Sequence, residues 1–442
     1  MDWLARAAGE RATATALVVG ERSISYGELD RAADAIASIV MDSGLAGGAV
    51  ALWGVRDAST VAALWGIPRG NATVVPIDPR LPPAEAMRLT REAGVNGLWA
   101  LPDGGIDRLL ARPKGQGHPG WGPPHPDARF VVFTSGSEGA YKGVVITGAN
   151  VEASVLGSRL RLGNGPDDSW LCVLPLFHVG GLSIPWRQAE AGAPVVLEDG
   201  FDATRTAALL SKVGFASLVP TMLRRVLDAG PGAGGTVLLG GGPSDPALLT
   251  RSLESGIVPL QTYGMTETTS QVCTVGPDEV EASLGTAGAP IAGGEVRITR
   301  DGVVAGIGVE GRIEVRGPMV SPGYLGAEPR RPDAWLITGD LGTLDDAGRL
   351  TVSGRADALI VTGGENVHPV MVERTLRGCP GVADARVFGV PDREWGRRVV
   401  AEIVLDGVTV TQVREWARGR LSAAAVPKEW RVVPRLVGKL DT

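Results

Sequence analysis

The chain has 442 residues, of which 44% are hydrophobic and 21% charged. That is too long for one average domain and ordinary for a globular protein, so two or three domains are expected. The formal net charge of −6 excludes a basic field for nucleic acid, and no apolar run reaches the length of a membrane span. The opening Met1-Asp2-Trp3-Leu4-Ala5 lacks the basic start and apolar stretch of a secretory signal. Cys172, Cys273 and Cys379 lie far apart and suit neither a disulfide framework nor a zinc site. They read as buried small hydrophobes, which fits a reducing cytoplasm. The 63 glycines and 31 prolines imply many tight loops between short elements.

Residues 1–128 read as α/β. Leu29, Ala33, Ile36 and Val40 mark one face of a helix over 26–40. Residues 49–53 and 72–77 read as buried strands, with a helix starting over 60–65 between them. Residues 103–126 are rich in Gly, Pro and His and read as an irregular connector. His118 and His125 have no carboxylate or cysteine at ligand spacing and read as solvated loop residues.

A second block, about 129–282, begins with an apolar run over 130–133 that reads as a buried strand. It leads into Thr134-Ser135-Gly136-Ser137-Glu138-Gly139-Ala140-Tyr141-Lys142-Gly143. Glycines allow close backbone approach, successive N–H groups form an anion-binding concavity, and a lysine supplies a point charge for phosphate. The loop therefore reads as a polyphosphate cradle, with a glycine-rich surface loop as the alternative. It is not a Walker A loop, because Gly143 follows Lys142. Only five of the 43 basic residues are lysine, so a lysine here is chosen for its compact ammonium.

Residues 170–174 read as a strand followed by Pro175-Leu176-Phe177-His178-Val179-Gly180-Gly181. His178 reads either as a satisfied core histidine or as a pocket wall. Residues 237–239 run into Gly240-Gly241-Gly242, which lets a flat ligand approach the backbone. Tyr263-Gly264-Met265-Thr266-Glu267 then offers an aromatic face, a hydroxyl and a carboxylate. Glu267 could hold Mg²⁺; it reads equally as a solvated turn residue.

From 285 to 353, period-two alternation such as Glu295-Val296-Arg297-Ile298 argues for antiparallel strands in a small β subdomain. It leads to Thr338-Gly339-Asp340, where Asp340 could accept from two ribose hydroxyls or form an Asx turn. The last block starts near Gly354-Arg355-Ala356-Asp357. It holds a strand over 359–361, the turn Gly363-Gly364-Glu365, a helix opened by Pro369, strands over 385–390 and 401–405, and a helix capped by Thr411. It ends with the glycine-flanked Lys439.

In this order, these segments resemble the adenylate-forming superfamily of acyl- and aryl-CoA ligases, peptide-synthetase adenylation domains and luciferases, over nearly the whole chain. The resemblance implies an α/β fold. A large N-terminal domain, 1–354, would hold mixed parallel sheets with helices and a small β subdomain; a small hinged α+β domain would follow over 355–442. It implies that residues 134–143 hold ATP phosphates, with Thr134, Ser135, Gly136, Ser137, Gly139 and Lys142 in contact. Gly240, Gly241, Gly242, Tyr263 and Gly264 would line the adenine site. Thr266 would touch phosphate, Glu267 would hold Mg²⁺, and Asp340 with Arg355 would bind ribose. Asp357 would be the hinge, Lys439 would enter for adenylation, and Gly363-Gly364-Glu365 would swing in for the thiol step. His178 would shape the acyl pocket.

Two stretches, Pro175 through Ser183 and Gly264 through Thr274, look like the o-succinylbenzoate–CoA ligase branch. The implied function is an AMP-forming acid–thiol ligase. It would activate a bulky cyclic or aromatic keto acid with ATP and Mg²⁺ and pass it to coenzyme A. It needs no nucleic acid or membrane, and a homodimer is compatible with it. Position 138 is glutamate where a hydroxyl is common, and Tyr141 replaces a usual proline. At an effective ε of about 20, a unit charge about 4 Å from phosphate is worth roughly 4 kcal/mol. This keeps open a ligase that performs only thioesterification of a supplied acyl-adenylate. A free-standing adenylation domain that loads a carrier protein stays open too, as does a non-catalytic nucleotide-binding relative.

Overall fold

The computed structural model describes residues 2–53, 55–100, 108–111, 125–135, 141–230 and 234–436. Helix Tyr26–Asp42 begins at a capping box: Ser25 Oγ accepts from the Glu28 N–H, and the Glu28 carboxylate accepts from the Ser25 N–H at 2.8 Å. Its buried face is Leu29, Ala33, Ile36 and Val40, each large member worth about 1.5–3 kcal/mol of burial. It packs on helix Ala58–Arg69, where a Cβ on Gly66 would stand 2.5 Å from the Ala33 carbonyl oxygen. Glycine is what lets these helices approach.

Helix Tyr26–Asp42 lies against the N-terminal hairpin Thr15–Val19 and Arg22–Ser25, and helix Ala58–Arg69 packs on a seven-stranded sheet. Its order is Gly323–Tyr324, Tyr141–Thr147, Ala128–Ser135, Thr73–Ile77, Ala49–Trp53, Gly97–Ala100, Arg108–Ala111. The middle strands run parallel, and Ala49–Trp53 and Thr73–Ile77 are apolar but for Thr73, whose hydroxyl donates to Ala128 O at 3.3 Å, as expected of strands covered on both faces. The connector after residue 103 contains one of these strands, Arg108–Ala111. His118 lies outside the described residues; His125 is half-buried, and its Nδ1 accepts from the Asp127 N–H at 3.2 Å.

A nine-stranded sheet lies beside the first. Its parallel part contains Ile257–Met265, Gly235–Leu239, Phe215–Leu218, Trp170–Cys172, Val195–Leu197 and Thr15–Val19. The N-terminal hairpin, Thr15–Val19 with Arg22–Ser25, thus joins this later sheet, not the sheet built from residues 49–77. A five-stranded antiparallel sheet follows, from Glu295–Arg300 to Leu350–Arg355.

The C-terminal domain has its own core of Ile360, Val372, Leu376, Val399, Ile403 and Val413. Strand Gly396–Leu405 pairs with three others, and helices Pro369–Arg377 and Val410–Arg418 cover the sheet. The expected cap at Thr411 is corrected: Thr409 caps, its Oγ1 accepting from the Gln412 N–H while Gln412 Oε1 accepts from the Thr409 N–H at 3.0 Å. Gln412 at the third helical position completes a reciprocal pair that only Thr409 can make. At the domain boundary, His368 Nε2 lies 3.0 Å from Glu310 Oε2 of the large domain. Among the described residues no helix is long and apolar enough to cross a membrane.

Candidate active site

The carboxyl ends of the parallel strands in the nine-stranded sheet open onto a cavity of about 1300 Å³. This is where open α/β sheets place ligands. Single ligand pockets span about 300–1,000 Å³, so this cavity has room for two ligands side by side. Its lining includes Thr134, Lys142, His178, Gly240, Gly241, Gly264, Thr266, Glu267, Asp340 and Arg355, drawn from widely separated stretches of sequence.

Strands Ala128–Ser135 and Tyr141–Thr147 pair antiparallel, with Thr134 opposite Lys142 and Ser135 opposite Tyr141. Phe130, Val131, Val132 and Phe133 are buried. Gly136, Ser137, Glu138 and Gly139 lie outside the described residues, as does the Ser135 side chain. Lys142 Nζ is 5.7 Å from the centroid of the Tyr324 ring. The Tyr324 hydroxyl donates to Glu267 Oε1 at 2.8 Å.

Glu267 sits in the turn Thr266–Thr268, whose Thr268 Oγ1 accepts from the Met265 N–H at 2.9 Å. The following Thr269 and Ser270 both have positive φ, +51° and +94°, a strained arrangement for residues with side chains. Gly264 faces this bulge. A Cβ there would lie 1.6 Å from the Ser270 carbonyl oxygen, so packing alone demands glycine. Among the described residues no three His, Cys, Asp or Glu cluster around a metal-sized gap. A metal here would be held by Glu267 and ligand oxygens, the donor set that suits Mg²⁺.

Tyr263 is buried and outside the cavity lining; its hydroxyl donates to Asp340 Oδ2 at 2.7 Å. Gly242 also falls outside the lining. Arg355 Nη1 stands 3.8 Å from Asp340 Oδ1, and the same guanidinium grips Asp357 through Nε at 3.0 Å and Nη2 at 2.8 Å.

His178 opens onto the cavity at the start of helix Val179–Ala191. Its ring tilts against Phe177 at 4.6 Å. Surrounding protein lowers its pKa, Asp78 partly opposes this and Arg80 adds to it, so the ring is neutral near pH 7.

Among the lining residues that escaped the sequence reading are Tyr324 and Arg187. Tyr324 carries no spacing signal; it reaches the site because Gly323–Tyr324 pairs with Tyr141–Thr147. Arg187 had a signal, a charge inside an apolar helix between Trp186 and Gln188. It is 3% exposed and lies over the Trp170 ring at 5.5 Å. Its Nη2 donates to Ser270 Oγ at 3.0 Å, while Nε and Nη1 are buried with no partner. No described carboxylate pairs with it. Burial pushes its pKa down to about 9, which still leaves it charged at neutral pH.

From the C-terminal domain, Asp384, Val404, Pro434, Arg435 and Leu436 face the cavity. Lys439 lies outside the described residues. The Gly363-Gly364-Glu365 turn is away from the cavity, with both glycines at positive φ, +56° and +83°.

Two α/β sheets meeting over a glycine-lined cavity, with a small domain at its mouth, define the fold of the adenylate-forming enzymes. The chain belongs to the AMP-binding enzyme family, which it matches over residues 4–325; residues 371–438 match the AMP-binding enzyme C-terminal domain. It is 39% identical over 317 residues to the 2-succinylbenzoate–CoA ligase of Bacillus cereus, a stretch covering 69% of this chain and 66% of that relative. That is just under two thirds of the relative's length. The chain also resembles the o-succinylbenzoate CoA synthetase of Bacillus subtilis solved in complex with the acyl-adenylate intermediate. There the TM-score is 0.87 at 30% identity, covering 99% of this chain and 95% of that one. The same enzyme in complex with ATP and magnesium ion gives a TM-score of 0.86 at 30% identity, covering 99% and 96%.

Proposed function

We propose that the protein is an AMP-forming acid–CoA ligase whose acid carries a second carboxylate, and that 2-succinylbenzoate is that acid. The observation that carries the substrate reading is Arg187. A buried guanidinium with two unpartnered donors is costly unless a ligand completes it. An aromatic dicarboxylate does so with one carboxylate and leaves the other free to react. The names of the relatives support the same acid.

A carboxylate is a poor electrophile because its leaving group would be oxide. Attack on the α-phosphorus of ATP gives an acyl-adenylate and pyrophosphate, and the CoA thiol then displaces AMP. Both steps need charge stabilisation more than proton transfer. In this reading Lys142, Thr134 and Thr266 hold phosphate, Glu267 holds Mg²⁺, which offsets phosphate charge, and Asp340 with Arg355 holds ribose. Gly240 and Gly241 admit the adenine edge. Lys439 bridges the attacking carboxylate and the α-phosphate. It must then leave to admit the thiol, which is the physical reason for a domain hinged at Asp357, with boundaries near 354 and 355. Gly363-Gly364-Glu365 takes its place beside pantetheine. The three buried thiols fit a cytoplasmic enzyme, as monomer or homodimer.

The test is pyrophosphate release from Mg·ATP with 2-succinylbenzoate, followed by mass detection of the CoA thioester. Release and thioester together support the reading. Thioester formed only from a supplied acyl-adenylate would replace it with the thioesterification-only enzyme. Absence of both would overturn it.

A further inference from the structure

We infer that Tyr324 is a positioning residue for the metal-binding carboxylate, holding Glu267 in one rotamer with Oε2 free for the cation. The inference rests on the nucleotide reading of the site given above. Among the described residues, the Tyr324 hydroxyl makes the one hydrogen bond to the Glu267 side chain, at 2.8 Å to Oε1. A glutamate on the wall of a wet cavity otherwise has a broad terminal torsion. A carboxylate accepts at about four lone-pair sites, so one phenol leaves the second oxygen open.

The segment that carries Tyr324 is firmly tied down. Gly323 and Tyr324 pair with Val145 and Val144, and the Leu325 N–H donates to Gly143 O at 2.7 Å. Ser321 Oγ donates to Val145 O at 2.5 Å and accepts from the Gly323 N–H at 2.9 Å. The Ser321 N–H reaches the Glu267 carbonyl at 2.8 Å, and Arg330 Nη2 donates to Val320 O and Ser321 O, both at 3.1 Å. The ring therefore stands at a fixed place against two chain segments remote in sequence. Its face meets the Lys142 ammonium at 5.7 Å, a cation–π distance. No ion pair joins Lys142 to Glu267 among the described residues; each reaches Tyr324 instead. Both charges stay available to a metal–polyphosphate ligand instead of neutralising each other.

The experiment compares the wild type with Tyr324→Phe, which keeps the ring against Lys142 and removes only the hydroxyl. Mn²⁺ binding to the full chain with a non-hydrolysable ATP analogue is read from the resonance of free Mn²⁺. Outer-sphere partners of metal ligands are worth roughly 10–100-fold in affinity, so the Mn²⁺ Kd should rise at least about tenfold. Thioester formation from a preformed acyl-adenylate and CoA should be unchanged, because that step uses no triphosphate. Equal Mn²⁺ affinity in the two proteins overturns the inference alone. Equal loss in both assays also overturns it, since the hydroxyl would then be merely structural. A wild type that binds no Mn²⁺ with the analogue overturns the nucleotide reading and this inference with it.

Discussion

The Tyr263 hydroxyl donates to Asp340 Oδ2 at 2.7 Å. The bond crosses from strand Ile257–Met265 of the nine-stranded sheet to strand Leu336–Leu344 of the five-stranded one. Burial first, and then the Asp340 charge, raise the phenol's pKa, so it remains a donor at any working pH. Tyr263→Phe should leave kcat nearly unchanged and raise the KM for ATP about fivefold, the equivalent of about 1 kcal/mol for one lost hydrogen bond. Steady-state kinetics with ATP varied will check this, and an unchanged KM would detach Asp340 from nucleotide binding.

Arg187→Met should separate binding from folding. Replacing an unpaired buried charge with an apolar side chain of similar volume is neutral or stabilising, so the melting temperature should hold or rise. Activity on an acid with a second carboxylate should fall about 10- to 100-fold in kcat/KM, as one charged hydrogen-bonding partner is lost. Acids without that carboxylate should lose nothing. A drop in melting temperature would mean that Arg187 serves the fold.

His178 sets a pH window. Its side chain is exposed to the cavity, yet the protein packed around the ring holds its folded pKa below the ordinary 6.5. As pH falls below about 6.5, the unfolded chain takes up the proton before the folded one does. The fold therefore loses stability there, and the loss stops once pH passes below the folded pKa. Above 6.5 this residue adds no pH dependence. Melting curves of the wild type and His178→Gln between neutral and acidic pH should diverge only on the acidic side.

The cysteines give a chemical check. Cys172, Cys273 and Cys379 are all buried and free, and burial raises all three thiols, Cys172 to about 12. Since the thiolate is the reactive form, none should react with a thiol reagent in the folded protein and all three should react in denaturant. Fast labelling of one in native buffer would contradict the packing.

At the last helix, Thr409→Ala should destabilise the C-terminal domain by about 1 kcal/mol, the usual worth of a lost N-cap, and Thr411→Ala by far less. Denaturant midpoints of the two variants will show which threonine caps.

The sequence by itself determined the strands and helices whose signals are local and strong, and left others, such as Gly148–Leu162 and Pro220–Asp228, unread. Apolar runs such as Ala49–Trp53, the 3.6 period of Tyr26–Asp42 and the glycine clusters after strands all read correctly. Glycine-rich turns between a strand and its neighbour also pointed to part of the cavity's lining, including Gly240, Gly241 and Gly264. The cap was placed at Thr411 although the capping-box spacing Thr409-x-x-Gln412 stands in the sequence; the reciprocal bonds of Thr409 and Gln412 correct it.

Tertiary structure alone decided which strands share a sheet, because pairing partners are remote in sequence. Thr15–Val19 lies beside Val195–Leu197, and Gly323–Tyr324 beside Tyr141–Thr147. The second pairing brings Tyr324 to Glu267. In the same way, the meeting of two sheets puts the Tyr263 hydroxyl on Asp340, where the family resemblance implied a ring lining the adenine site. Arg187 shows the division most clearly. Its charge was visible among apolar neighbours, but whether a carboxylate answers it depends on every chain segment folded around it.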